Sequence, residues 1–160
     1  MALHFERIAG IAQALGAKVL VFGAPSLRTY HGITSDLALL RAAEALALAI
    51  RPFVCRDLIL AIEPVFQTTG GQSVMQIGNN MAECASLVRL VNSPSLRLNL
   101  DCAALWESGE DIESGWQTWG EFVCHVHLSE PGLGALRGGL VPHKRNISLL
   151  DSNGYDGLVS

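Results

Sequence analysis

Paired cysteines, long apolar runs and an excess of basic charge are all missing from this 160-residue chain, and each absence argues against a class of function. The four cysteines, Cys55, Cys84, Cys102 and Cys124, form no C-x-x-C pair. They read as reduced core thiols rather than a zinc ribbon or a disulfide framework. No apolar run reaches the ~18 residues that span a bilayer, because Arg41, Glu44 and Arg51 interrupt the longest one. No membrane association is expected. The first turn, Met1-Ala2-Leu3-His4-Phe5-Glu6-Arg7, is charged and lacks the apolar stretch of a signal peptide, so the expected address is cytoplasmic. A net charge of −4 argues against nucleic acid held by bulk electrostatics. A small anionic substrate held by local groups stays open. The nucleotide-binding, serine-hydrolase and zincin motifs are absent too, and Pro131-Gly132-Leu133-Gly134-Ala135-Leu136-Arg137-Gly138-Gly139 reads as a flexible loop rather than a phosphate cradle.

Hydrophobic residues, by contrast, make up 49% of the chain, and the mean hydropathy is +0.31. Parallel sheets covered by helices have this composition, because their strands are buried on both faces. Helical and strand patterns alternate. Residues 3–15 carry apolar side chains at helical spacing, Lys18 to Phe22 is a short apolar run, and Ser35-Asp36 can cap a helix that ends before Pro52. Strands are predicted over 57–63, 96–101 and 122–128, with helices over 81–91 and 106–119. A helix beginning near Asn146 leads through Gly154-Tyr155-Asp156-Gly157 into Leu158-Val159-Ser160, the start of a further strand. The alternation implies right-handed crossovers and one parallel sheet in a single domain spanning 1–160. Five strands fit either a small doubly wound sheet or the C-terminal part of a barrel.

The residues that could carry chemistry stand at the strand ends. Glu63 follows Leu60-Ala61-Ile62, Asp101 closes Leu96 to Leu100, and His125 and His127 share a face of Cys124-His125-Val126-His127. Catalytic groups of α/β folds gather at the C-terminal ends of parallel strands. Two carboxylates and an imidazole suit a divalent ion: Mn2+, Mg2+ or Co2+, with Zn2+ also possible. Four further residues are candidate substrate contacts: Arg28 after the first strand, His125 two residues deeper than His127, Glu130 after the same strand, and His143 before the last helix. Each also has a structural reading, as a surface cation, an interior histidine, a solvated loop carboxylate and a helix-start residue, respectively.

In order along the chain, Leu15-Gly16-Ala17-Lys18-Val19-Leu20-Val21-Phe22-Gly23, Leu60-Ala61-Ile62-Glu63-Pro64, Leu98-Asn99-Leu100-Asp101, His125-Val126-His127-Leu128-Ser129-Glu130-Pro131 and Gly154-Tyr155-Asp156-Gly157-Leu158-Val159-Ser160 resemble the C-terminal portion of a xylose-isomerase-like TIM barrel. That superfamily includes sugar-phosphate isomerases and epimerases and endonuclease IV. The resemblance implies a partial (β/α)8 barrel, about strands four to eight, truncated at both ends. It implies Glu63, Asp101 and His127 as metal ligands, a fourth glutamate expected beyond Ser160, and Glu63 as the nearest candidate base. The substrate implied is a sugar or sugar phosphate. The chain departs from the ketose 3-epimerase branch at Thr69 and Ala104, where that branch has a glutamate and a histidine. Two alternatives stand beside the isomerase reading. One is a catalytically incomplete unit that forms a homo-oligomer through open sheet edges, and the other is an endonuclease IV-like nuclease.

Overall fold

A computed structural model describes the backbone of residues 2–65, 68–69, 72–73 and 75–160, and the side chains of 3–65 and 75–160. Five parallel strands, β1 (Val19–Phe22), β2 (Ile59–Ile62), β5 (Leu96–Asp101), β6 (Val123–His127) and β7 (Leu158–Val159), stand in the order β1-β2-β5-β6-β7. They curl into half of a barrel with helices around the outside. The helices are α1 (Ala2–Ala14), α2 (Ser35–Ala49), α3 (Arg51–Val54), α4 (Met81–Val91), α5 (Cys102–Ser108), α6 (Ile112–Trp119) and α7 (His143–Ser152). Thr68–Thr69 (β3) and Gln72–Ser73 (β4) pair as a small antiparallel ribbon beside the sheet. Gly70 and Gly71, a glycine pair whose sequence marks a loop, lie outside the described residues. Among the described residues, no helix is long and apolar enough to cross a membrane.

The two faces of the sheet differ in character, and register explains why. Paired residues of parallel strands share a face, and successive residues alternate. Leu20, Phe22, Leu60, Ile62, Leu96, Leu98, Leu100 and Val126 all belong to the apolar core under the helices. The other face carries Val21, Ala61 and Arg97, which pair across β1, β2 and β5, then Asn99 with His125 and Asp101 with His127. The concave face is therefore polar towards the strand ends. Between Leu98 and Asn99 the pairing with β6 slips by one residue, from Leu98 with Val123 to Asn99 with His125. Without that slip, Asn99 would face Cys124, and both histidines would turn outward into the apolar layer.

Local chemistry sets the helix boundaries, in places differently from the sequence pattern. The Thr34 side chain, rather than Ser35 or Asp36, caps α2 by accepting from Leu37 N. The single helix expected over 106–119 is two helices. Gly109, at φ 70°, ends α5 in the left-handed region, and the Asp111 side chain then caps α6. Helix α7 starts at His143, three residues before Asn146. Helix α4 is capped by Asn80, while its second free end group, Met81 N–H, donates to Glu110 at 2.7 Å from the turn before α6.

Candidate metal centre

Glu63 directly follows β2, while Asp101 and His127 are the last residues of β5 and β6, so three neighbouring strands deliver three ligand-type side chains to one end of the sheet. One ligating atom from each lies within 4.8 Å of the other two. His127 Nδ1 is 3.6 Å from Glu63 Oε2 and 3.6 Å from Asp101 Oδ2.

Each carboxylate is held from one side and open on the other. Asp101 caps α5, its Oδ1 accepting from Ala104 N at 2.8 Å and from Ser129 Oγ at 2.8 Å. Ser129 Oγ in turn accepts from Ala103 N at 2.9 Å. One oxygen of Asp101 is thus committed to structure, and Oδ2 is left facing the imidazole. Glu63 accepts from Asn99 Nδ2 at 2.7 Å through Oε2. Its Oε1 lies against Gly23, where an added Cβ would stand 2.6 Å away. Burial pushes the Glu63 carboxyl above the ordinary carboxylate range, the Asp101 charge adds to the rise, and Asn99 and His127 only partly oppose it.

The other candidates fall into three places. His125 lies beside the cluster, its ring edge-on to His127 with centroids 5.2 Å apart, and its Nε2 is 3.0 Å from Ser160 Oγ. Burial and the neighbouring His127 lower its pKa. Arg28 is buried, and its guanidinium donates to the carbonyls of Glu63, at 2.6 Å, and Phe22. The sequence offered Arg28 as a substrate contact or a surface cation. The structure gives Arg28 backbone acceptors, and with them it ties the ends of β1 and β2 together beneath Glu63. Glu130 and His143 form a separate pair that does not touch Glu63, Asp101 or His127. Glu130 is buried rather than solvated, and it accepts from Leu140 N at 2.8 Å, from Val141 N and from His143, whose Nε2 is 2.8 Å away. Together they close the Pro131–Leu140 loop onto the start of α7. Of the two positions that depart from the ketose 3-epimerase pattern, the Thr69 side chain lies outside the described residues, and Ala104 donates its N–H to Asp101.

Asn99 is the site residue that the sequence reading missed. It is fully buried on the concave face, and its Nδ2 touches both Glu63 Oε2 and His127 Nδ1, the latter at 3.1 Å. Its signal was available in the spacing, since a residue two before Asp101 on one strand shares its face.

The donor set fits a divalent cation. Hard carboxylate oxygens and an imidazole nitrogen converge, and a carboxyl lifted by burial and like charge is one that a cation would relieve.

Comparison with curated protein sequences gives no match. The family model described as "Xylose isomerase-like TIM barrel" matches residues 2–160. Among solved structures, an L-ribulose 3-epimerase is 18% identical with a TM-score of 0.83, over 99% of this chain and 52% of that one. The D-allulose 3-epimerase from Methylomonas sp., solved with D-allulose, is 20% identical with a TM-score of 0.79, over 97% and 52%. The IolI protein with a bound zinc atom is 20% identical with a TM-score of 0.77, over 99% and 58%. The chain thus spans between half and three-fifths of the length of these structures, and at such identities they speak for the fold. With strand order, helical envelope and family match all in agreement, the chain belongs to the xylose isomerase-like TIM barrel family.

Proposed function

We propose that the protein serves a divalent-metal-dependent isomerase or epimerase acting on a sugar or sugar phosphate. The observation that carries this reading is the convergence of Glu63, Asp101 and His127 from three adjacent strand ends, with their ligating atoms within 4.8 Å. Those three residues would hold the ion, with Mn2+, Mg2+ or Co2+ favoured by the carboxylates and Zn2+ admitted by the imidazole. When bound, the cation would polarise a sugar carbonyl and its neighbouring hydroxyl and offset negative charge developing there.

The remaining steps belong to the chain. Glu63 would accept the proton from the carbon next to the carbonyl. Burial raises its carboxyl towards the working range of a general base, and its Oε1 faces Gly23. Asp101, fixed by Ala104 and Ser129, keeps its place as the proton moves. His125 lies one strand repeat deeper and would contact a substrate hydroxyl. The loop pinned by Glu130 and His143 would form part of the rim. The zinc named for the IolI protein and the ketoses named for the 3-epimerases are consistent with this chemistry.

The test is thermal unfolding of the protein with and without Mn2+ or Co2+, joined to deuterium incorporation into a panel of ketoses in D2O. A rise in Tm that Asp101→Ala abolishes supports the reading. No rise with either cation overturns it.

A second reading, association through the sheet edges, is favoured by β7, where Leu158 is 73% exposed and Val159 44%. It pairs only with β6 among the described residues. A dimer in size-exclusion chromatography that Leu158→Lys dissolves would support it, and a monomer at all concentrations would remove it.

A further inference from the structure

The amide of Asn99 sits at the centre of the cluster in an orientation that leaves half of it unused. Its Nδ2 lies 2.7 Å from Glu63 Oε2 and 3.1 Å from His127 Nδ1. An amide nitrogen carries two protons, so it can serve both contacts at once, provided His127 is neutral with its own proton on Nε2. The Nδ1 lone pair then points inward. At the other end of the same amide, Oδ1 is buried and has no hydrogen-bond partner among the described residues. Native proteins seldom leave a buried carbonyl so.

The two lone pairs that meet Nδ2 are the ones a cation would use. Turning the amide by half a rotation hardly changes its shape, because its oxygen and nitrogen ends are nearly isosteric. Turned, Oδ1 would stand where Nδ2 now stands, facing a carboxylate oxygen and an imidazole nitrogen. Three lone pairs at that spacing repel one another unless a positive ion lies between them. With one there, the spacing is suitable: metal–ligand bonds of about 2.1 Å place neighbouring ligand atoms roughly 3.0–3.4 Å apart. The present separation from His127 Nδ1, 3.1 Å, lies within that range, and the 2.7 Å separation from Glu63 Oε2 lies below it. An amide oxygen is a hard donor of the kind that Mn2+ and Mg2+ accept.

We propose that Asn99 is a further ligand of the ion held by Glu63, Asp101 and His127, giving Oδ1 after its amide turns, and that otherwise the same amide holds those lone pairs by donating to them. The inference rests on the metal-centre reading above. It makes Asn99 a two-position side chain whose orientation reports whether the cation is present. Asn99 is suited to this because it sits on β5 two residues deeper than Asp101, so both donors come from one rigid strand.

The test is calorimetric titration of the full chain with Mn2+, comparing the unaltered protein with Asn99→Leu, Asn99→Asp and the control His127→Ala. A ligand role predicts that Asn99→Leu weakens Mn2+ binding about 10- to 100-fold, the range over which support of a metal site is felt. It also predicts that Asn99→Asp, which keeps an oxygen and adds charge, binds at least as tightly as the unaltered chain. In 15N-labelled protein, Mg2+ or Zn2+ should shift the Asn99 side-chain amide resonances as the protons leave Glu63 and His127.

Asn99→Asp weakening binding as much as Asn99→Leu would overturn the ligand role, because aspartate cannot supply the two donated protons and the amide would then be acting through them alone. Unchanged binding in Asn99→Leu, with binding lost in His127→Ala, would also overturn it and leave the metal centre standing. Absence of Mn2+ binding by the unaltered chain would remove the metal centre itself, and this inference with it.

Discussion

Two carboxylate–imidazole groupings in this molecule are built from the same residue types and do opposite things. Around Glu130, both carboxylate oxygens are satisfied. Burial alone would raise its carboxyl, but the N–H groups of Leu140 and Val141 and the His143 ring outweigh it and hold the group below the ordinary range. Around Glu63, burial is also the largest influence and the Asp101 charge adds to it, and the Asn99 hydrogen bond with the nearby His127 and Arg28 does not offset them, so the carboxyl lies above the ordinary range. The first carboxylate has spent its lone pairs on backbone and serves the loop. The second, with Asp101 Oδ2 and His127 Nδ1 nearby, has lone pairs to offer. Saturation, rather than residue type or burial, separates a structural carboxylate from one available for chemistry.

That contrast predicts different responses to removing each carboxylate. Glu130→Ala would strip two main-chain N–H groups and an imidazole of their acceptor and lower Tm on the order of 10 °C. Glu63→Gln keeps the size and relieves an unfavourable charge, so Tm without added cation should stay within about 3 °C or rise. Equal losses in the two variants, measured by calorimetry, would break the comparison.

Added cation should sharpen it. At a Mn2+ concentration 100 times Kd, the unaltered protein should gain about 2.7 kcal/mol of stability. Glu63→Gln should lose most of that gain, whereas Glu130→Gln should keep it, because Glu130 does not touch Glu63, Asp101 or His127. Retention of the full gain by Glu63→Gln would move the site elsewhere.

Two glycine substitutions test the same pair sterically. A Cβ at Gly139 would fall 1.9 Å from Glu130 Oε1. The Glu130 carboxylate is pinned by three partners, so Gly139→Ala should cost about 1–3 kcal/mol in urea unfolding. At Gly23 the Cβ would meet Glu63 Oε1 at 2.6 Å, and that oxygen is free to move. Gly23→Ala should therefore cost less in stability and show itself chiefly as weaker Mn2+ binding.

The smallest expected effect is in the pH dependence of stability. Glu130 titrates lower folded than unfolded, so its contribution is present above the ordinary carboxylate value and is lost as pH falls through the lower, folded value. Glu63 titrates higher folded than unfolded. Its contribution is present below the ordinary value and is lost as pH rises through the higher one. In cation-free buffer, the difference between Glu63→Gln and the unaltered chain should grow as pH rises through that window. A difference that shrinks instead would reverse the assignment.

Much of this was legible in the residues. Apolar runs closing on Glu63, Asp101 and His127 marked the strand ends, and alternation with helical segments marked a parallel sheet. The loop and helix-start residues were harder to read. Arg28 follows a strand in the place of a substrate-contacting arginine, but its partners are carbonyls of Phe22 and Glu63, the latter 35 positions away. Glu130 read equally as a substrate contact and as a solvated loop carboxylate, because the N–H groups that hold it come from Leu140 and Val141, across a glycine-rich stretch with no periodicity. The break between α5 and α6 turned on the left-handed conformation of Gly109, which a helical spacing count passes over.

Sequence by itself determined which side chains share a face along each strand: Asn99 with Asp101, and His125 with His127, since a strand repeats every two residues. It could not determine that these two pairs face each other. That depended on the one-residue slip between β5 and β6 after Leu98, because cross-strand register is set by how whole strands and helices pack, and an offset of a single residue exchanges the two faces. Only the tertiary structure brought the histidines round to the concave side and set the Asn99 amide between Glu63 and His127.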